Sequence, residues 1–193
     1  ARLRDALSRP AGPSSDFDLN PGYRPVADKP LRPAAVLVPV WLRPEGPALI
    51  LTKRSSHLKH HPGQIAFPGG KVDATDASPE AAALRETREE IGLPPDRVQV
   101  LGTLPLHETA TGFPTTPFVG LIHGPFDPTP EAGEVEEVFT VPLSHVLTPA
   151  FFAIERRQWM GVWRRYYAVP YGPYYIWGAT ARILRGLAER VEP

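Results

Sequence analysis

The chain contains 193 residues, with 21 basic and 21 acidic side chains, 25 prolines and no cysteine. The absence of cysteine excludes a disulfide framework, a thiolate zinc site and a thiol nucleophile, and the balanced charge removes the general electrostatic case for nucleic-acid binding. No apolar run approaches the roughly 18 to 20 residues that a membrane span requires, and the first five residues are too polar for a secretory signal, so we expect a cytoplasmic protein without a membrane or nucleic-acid partner.

The first part of the chain is rich in proline and poor in large apolar residues. Residues 1–30 are therefore predicted to form a short helix, over residues 3–7, and an extended arm that precedes one domain over residues 31–193. Two apolar, β-rich runs at residues 34–42 and 48–52 are separated by a segment with the composition of a turn. They predict two central strands of a sheet.

The clearest helix is predicted over residues 79–91. Ser78 is suited to cap its first N–H groups, Pro79 fits the first helical position, and Gly92 ends it. The remaining predicted elements are a short strand within 63–70 that ends in a glycine turn, strands at 98–106, 117–123 and 138–141, a hairpin within 151–169 and an amphipathic helix over 175–191. Because strands and helices do not alternate regularly, we predict an α/β fold with a mixed β-sheet flanked by helices.

Three glutamates share one face of the predicted helix. At about 100° per residue, Glu86, Glu89 and Glu90 fall within roughly 100° of arc, opposite the apolar stripe that would pack on the sheet. Like charges on adjacent turns repel unless a cation lies between them, and clustered carboxylates suit Mg²⁺ or Mn²⁺. The alternative is a solvated acidic face, which a glycine turn at Gly69 and Gly70 makes less favourable because it brings backbone close to a metal.

The residues around this face resemble the Nudix box. Gly70 is followed by Asp76 and by the run Arg85-Glu86-Thr87-Arg88-Glu89-Glu90-Ile91-Gly92-Leu93. The sequence departs from the general pattern at two places. Eight residues instead of seven separate the first acid, Asp76, from Arg85, and Thr87 occupies a position that is usually apolar.

The extra residue resembles the coenzyme A pyrophosphatase branch of that family, which also carries an upstream motif. Here the motif is Ile50-Leu51-Thr52-Lys53-Arg54-Ser55, then Lys59, Gly63 and Phe67-Pro68-Gly69-Gly70, with its spacing intact. Lys59 replaces the usual arginine, which keeps the charge and loses the bidentate fork. The run over residues 176–182 resembles the start of the branch's C-terminal helix.

The resemblance implies a Nudix-type α/β/α sandwich and a metal-dependent pyrophosphohydrolase that splits coenzyme A, or its thioesters, into 3′,5′-ADP and 4′-phosphopantetheine. It implies Mg²⁺ or Mn²⁺ as cofactor. The implied metal ligands are Glu86, Glu89, Glu90 and the carbonyl of Gly70, with Glu89 and Glu90 also catalytic. Arg85 would hold a carboxylate in place.

Other functional assignments leave alternatives open. Arg54, Lys53 and Lys59 are candidates for binding the substrate phosphates, although Arg54 and Lys59 also suit structural roles. The general base is assigned to Glu134, with Glu108 as the second candidate; a solvated loop acid is the alternative for each. His57, His60 and His61 lack the spacing of a metal site and are expected in a solvated loop.

The numerous aromatic residues after residue 150 suit three roles: stacking on adenine, filling the core or forming the surface of a homodimer. Two further functions compete with coenzyme A hydrolysis. One is hydrolysis of NADH, ADP-ribose or a nucleoside triphosphate on the same fold, and the other is nucleotide binding without catalysis. The presence of all three box glutamates argues against the second.

Overall fold

The structure is a computed structural model that describes residues 2–22, 32–111, 113–159 and 161–191. The predicted boundary between arm and domain, and residues 23–30 of the predicted arm, lie outside the described residues. Among the residues that the structure does describe, no helix is long and apolar enough to cross a bilayer.

The described residues form helices and strands in a mixed order. The helices are α1 (Arg2–Ser8), α2 (Pro79–Ile91), α3 (Leu143–Val146) and α4 (Gly178–Val191), with 3₁₀ turns at Pro95–Arg97 and Pro149–Phe151. The strands are β1 (Ser14–Ser15), β2 (Ala34–Arg43), β3 (Gly46–Arg54), β4 (Ile65–Ala66), β5 (Gly69–Lys71), β6 (Val98–Thr103), β7 (His107–Glu108), β8 (Pro114–Ile122), β9 (Val135–Pro142), β10 (Ala153–Trp159) and β11 (Val162–Ala168).

A mixed sheet organises the domain around β2. This strand runs parallel to β8 and antiparallel to β3 and β5, and β3 in turn pairs antiparallel with β9. The sheet confirms the predicted mixed topology. The predicted strand within 63–70 is divided in two because the chain changes partner at Pro68: β4 pairs with β3, whereas β5 pairs with β2.

The core lies on both faces of the sheet, as alternation along the strands requires. On β2, Val38 and Val40 join the apolar cluster that contains Leu184 of α4. Leu37 and Ala35 join the cluster on the other face, with the apolar residues of α2. The chain therefore forms the predicted α/β/α sandwich, with α2 on one face and α4 on the other.

The N-terminal segment is fastened to distant parts of the chain. Strand β1 adds to the sheet in parallel beside β7. Asp18 forms an ion pair with Arg182 of α4 at 2.7 Å, and Asn20 exchanges two hydrogen bonds with the backbone of Arg165 in β11. The helix predicted over residues 3–7 is confirmed by α1. The pairing of β1 with the sheet was not predicted, because a two-residue strand leaves no periodic signal.

Candidate active site

Helix α2 begins and ends at the residues that the sequence indicates. The hydroxyl of Ser78 accepts a hydrogen bond from the N–H of Ala81 at 3.1 Å, and Pro79 occupies the first turn. Gly92 adopts a left-handed conformation with φ 75°, and its N–H donates to the carbonyl of Arg88. Both ends of the helix are thus fixed, which also fixes the direction of the acidic side chains along it.

Arg85 binds several acids at once. Its guanidinium donates two hydrogen bonds to Asp76, at 2.9 and 3.0 Å, and one each to Glu86 and Glu89 at 3.0 Å. The paired geometry with Asp76 is the bidentate form that makes such contacts strong. Arg85 holds the pKa of the Asp76 carboxyl below its usual range. The first acid of the motif therefore anchors the arginine.

Glu90 is the buried acid of the cluster. Only 5% of the residue is exposed, and its Oε2 accepts a hydrogen bond from the N–H of Gly69 at 3.1 Å. The pKa of Glu90 is raised to about 8, chiefly by burial; the Gly69 N–H and Arg54 oppose this shift, and the charges of Glu86 and Glu134 add to it. Glu90 therefore lies in a setting where its charged form is costly without a cation.

The helical wheel places Glu90 on the face away from the sheet, but the structure buries it. Its carboxylate packs against β5, where it accepts the hydrogen bond of Gly69, and a later loop binds the backbone at the end of α2. The N–H of Glu131 donates to the carbonyl of Glu90 and the N–H of Thr129 to that of Ile91, both at 2.9 Å. A helical wheel shows only which residues share a face of one helix. It does not predict contacts that the helix makes with turns or loops elsewhere in the chain.

Gly70 is closely packed against Glu86. A Cβ atom built on Gly70 would lie 2.6 Å from the Cδ of Glu86, closer than side chains approach one another. Burial raises the pKa of Glu86, Arg85 lowers it, and the charges of Glu89 and Glu134 raise it. A glycine is required here because the backbone passes directly against a carboxylate.

The two glutamates and the glycine fit a hard cation by their chemistry. The charge of Glu86 raises the pKa of the Glu90 carboxyl, and Gly70 brings backbone close to Glu86. Oxygen donors of this kind are those that Mg²⁺ and Mn²⁺ prefer. Across the described ranges, however, no three acidic or histidine side chains are already arranged as a metal site. Glu89 differs from the other two because it is exposed and bonded to Arg85.

The three predicted phosphate-binding cations occupy different environments. Arg54 ends β3 and is half-buried; its charge acts on Glu90, and its buried Nε has no hydrogen-bond partner among the described residues. Lys53 instead forms an ion pair with Glu136 at 2.6 Å. Lys59 is exposed in the following loop. The structure thus brings only Arg54 next to the carboxylates.

The histidines near Lys59 are also exposed, as expected for a solvated loop. These residues are His57, His60 and His61.

The two candidate bases are separated by the sheet. Glu134 lies beside the cluster, since its charge raises the pKa of both Glu86 and Glu90, and its carbonyl accepts a hydrogen bond from the N–H of Ser55. Glu108 lies in β7, where it accepts a hydrogen bond from the hydroxyl of Ser15 at 3.2 Å. Strands β8 and β2 separate β7 from β5, the strand that carries Gly70. Proximity therefore favours Glu134.

Two contributors to this site were missed from the sequence. The N–H of Gly69 binds Glu90, and φ at Gly69 is 150°, a conformation that only glycine adopts readily. Asp73 lies 3.6 Å from Arg85 and its N–H donates to Asp76. The paired glycines were a signal for the first contact, whereas the turn around Asp73 carries no distinctive signal.

The aromatic residues divide among several environments. Tyr174 stacks on Phe139 with ring centroids 3.6 Å apart and donates to Glu137. Tyr166 meets Trp177 edge to face. These contacts show rings used for packing, while others on β10 and β11 are exposed.

The comparisons with known proteins agree with this geometry. The model of the NUDIX domain matches residues 31–161. A relative from Enterobacter sp. (strain 638), "Uncharacterized Nudix hydrolase NudL", is 46% identical over 160 residues, which are 83% of this chain and 83% of the relative.

Similar structures have also been solved. The Nudix hydrolase RenU from M. smegmatis is 28% identical with a TM-score of 0.51, over 60% of this chain and 73% of that one. A MutT/nudix family protein from Enterococcus faecalis has a TM-score of 0.56 at 17% identity, over 88% of this chain and 65% of that one, and shows likeness of fold alone.

Proposed function

The chain belongs to the Nudix family, and we propose that it hydrolyses the diphosphate of coenzyme A or of a coenzyme A thioester, with Mg²⁺ or Mn²⁺ as cofactor. The products would be 3′,5′-ADP and 4′-phosphopantetheine. The family supports a Nudix hydrolase that acts on a pyrophosphate bond. The choice of coenzyme A as the substrate is more specific than the reaction class, and it depends on the basic residues that precede the glycine turn.

The observation that carries this choice is the position of Arg54. It ends the strand that leads into the loop of Lys59, and its charge acts on the buried Glu90. Coenzyme A differs from most nucleoside diphosphate derivatives by a third phosphate on the ribose. Such a substrate needs cations beyond those that neutralise the diphosphate, and a fixed guanidinium is suited to bind phosphate.

The roles of the acidic residues follow from their environments. Glu86 and Glu90, with the carbonyl of Gly70, would hold the cation, and Glu89 would complete the set after leaving Arg85. A divalent cation supplies charge neutralisation at the diphosphate and acidifies water. Arg85 positions Glu86 through a charge-assisted hydrogen bond. Glu134 would accept the proton of the attacking water, because it lies closer to Glu86 and Glu90 than the other candidate base does.

The lysines would act at the edge of the site. Lys59 is exposed in its loop and could bind a substrate phosphate directly. Lys53 would first have to break its ion pair with Glu136. Breaking this exposed ion pair costs little, because water screens the two charges. We therefore expect Lys59 to contribute more to binding than Lys53.

The test is product analysis with a matched pair of substrates, coenzyme A and 3′-dephospho-coenzyme A. The wild type should cleave both with Mg²⁺ or Mn²⁺, prefer coenzyme A and lose activity with a chelator. Arg54→Gln should remove most of that preference, and Glu134→Gln should lower kcat for both substrates. A preference for ADP-ribose, NADH or a nucleoside triphosphate over coenzyme A would overturn the substrate assignment. Equal loss on both coenzyme A substrates in Arg54→Gln would contradict the role given to Arg54.

A further inference from the structure

The hairpin of β10 and β11 has an apolar tip and a basic stem. Every residue of β10 is exposed. Near the turn, Trp159 is 52% exposed and Trp163 is 60% exposed, and Val162 lies opposite Trp159 in the strand register. Residues opposite one another in an antiparallel pair share a face, so Trp159 and Val162 lie on one face of the hairpin and Trp163 lies on the other. The tip therefore presents exposed apolar side chains on both faces, which marks a contact surface. The candidate active site described above includes none of these three residues.

The hairpin is fastened to the rest of the chain from its base as far as Arg165, whose backbone exchanges two hydrogen bonds with Asn20. Ala168, at the end of β11, is buried and bridges to Trp177, and Tyr167 lies beneath the guanidinium of Arg182 at 5.7 Å. The two strands span seven residues each, about 20 Å at the usual rise. The tryptophan tip therefore projects from the body of the domain.

The stem behind the tip is positively charged. Arg156, Arg157 and Arg165 are exposed, against one acid, Glu155. The chain as a whole has no net charge, so this excess is local. Arginines near the surface of an anionic bilayer each contribute about a fivefold gain in binding, and tryptophan prefers the interface between headgroups and acyl chains.

We propose that this hairpin docks the protein on the surface of an anionic lipid bilayer, with Trp159, Val162 and Trp163 entering the interface and the arginines contacting the headgroups. The prediction that no membrane partner exists rested on the lack of a spanning segment. Interfacial docking requires no span, because a few apolar side chains backed by cations suffice. This proposal is independent of the substrate.

Two other partners fit the hairpin less well. Arg156 lies over the ring of Trp163 at 5.1 Å, so one face of that indole is already covered and is not open for stacking on a base of single-stranded nucleic acid. In an antiparallel pairing of β10 with a second copy, centred on the strand, Arg156 would face Arg156, which is repulsive.

The experiment measures sedimentation of the full chain with vesicles of phosphatidylcholine alone or with added phosphatidylglycerol. The wild type should bind the anionic vesicles and shift its tryptophan emission to shorter wavelength. Two double variants, Trp159→Ala with Trp163→Ala and Arg156→Glu with Arg157→Glu, should each lose binding by about tenfold or more. Leu106→Ser, a matched change at an exposed apolar residue away from the hairpin, should bind as the wild type does.

Unfolding temperature and hydrolytic activity of each variant should match those of the wild type, which distinguishes loss of docking from loss of folding or of the active site. Failure to bind anionic vesicles would overturn the proposal, as would binding that Leu106→Ser lowers as much as the tryptophan variants. Binding of oligouridylate abolished by the same variants, without vesicle binding, would assign the hairpin to RNA. A wild-type dimer that the tryptophan variants convert to a monomer would assign it to a second copy.

Discussion

Replacing Glu90 with glutamine should stabilise the metal-free protein while it destroys activity. Burial raises the pKa of Glu90 from 4.5 to about 8, so the folded state holds its proton more tightly than the unfolded state. Unfolding therefore releases a proton between these two values, and a rise in pH through this window favours the unfolded state. Stability is greatest below about pH 4.5 for this group and is lost progressively up to about pH 8.

The magnitude follows from linkage. Within the window each pH unit costs about 1.4 kcal/mol of unfolding free energy, so at pH 7 the acid costs on the order of 3 kcal/mol. This is a large share of the roughly 5–15 kcal/mol that stabilises a typical domain. The amide oxygen of glutamine still accepts the hydrogen bond of Gly69, so the variant should recover most of that cost.

The assay is chemical unfolding in a chelator across pH 5 to 9, comparing wild type, Glu90→Gln and Glu89→Gln. Glu89 is the matched control because it is exposed on the same helix, and its replacement should change stability by less than about 0.5 kcal/mol. Glu90→Gln should gain stability over the wild type as pH rises, and Mg²⁺ should remove this advantage by binding the wild type. Turnover with Mg²⁺ should fall by orders of magnitude. A variant less stable than wild type at pH 7 and above would refute the reasoning.

Three further substitutions test the surroundings of the cluster. Gly70→Ala should lower Mn²⁺ affinity about tenfold or more, measured by calorimetry, because its Cβ would displace the carboxylate of Glu86. Arg85→Lys should lower kcat/KM about tenfold or more in steady-state assays, because lysine lacks the fork that binds Asp76. Thr87→Val should change the free energy of unfolding by about 1 kcal/mol or less in denaturant titrations, because Thr87 is buried and its hydroxyl bonds only a helical carbonyl.

The first two of these substitutions have a matched control in the chain. Gly22→Ala meets no atom within 4 Å and should leave Mn²⁺ affinity unchanged. Arg97→Lys alters an exposed arginine that binds backbone carbonyls and should leave turnover unchanged. Unaltered Mn²⁺ affinity in Gly70→Ala would contradict the packing argument, and wild-type kcat/KM in Arg85→Lys would show that bidentate geometry is unnecessary. A loss above 3 kcal/mol in Thr87→Val would give its hydroxyl a larger role.

The sequence predicts local structure well where a chemical signal is local. The bounds of α2 agree with the prediction because Ser78, Pro79 and Gly92 act within one turn of the helix ends. The central strands were predicted from apolar runs, and the sheet extends them by a few residues. The spacing of apolar residues along a helix or strand indicates which face of that element is buried against its main neighbour.

Properties set by distant segments were not predictable in this way. Lys53 is a candidate for binding substrate, and its ion pair with Glu136 arises because β3 pairs with β9, which the sequence does not indicate. The carboxylate of Glu90 packs against Gly69, which lies 21 residues earlier in the chain and in a different element. Each requires knowledge of which segments meet, which a single sequence does not contain.

The fastening of the N-terminal segment has a consequence for synthesis on the ribosome. Arg9 donates to the carbonyl of Arg190, 181 residues later, and Asp18 and Asn20 bind partners 164 and 145 residues later. Arg9 and Asp18 are synthesised well before α4, so they cannot reach their native partners until that helix has left the exit tunnel. Strand β1 likewise has to wait for β7, which lies 93 residues later in the chain, and an unpaired strand edge is prone to pair with another chain. The N-terminal segment is therefore made early, but it can take its native position only late in folding.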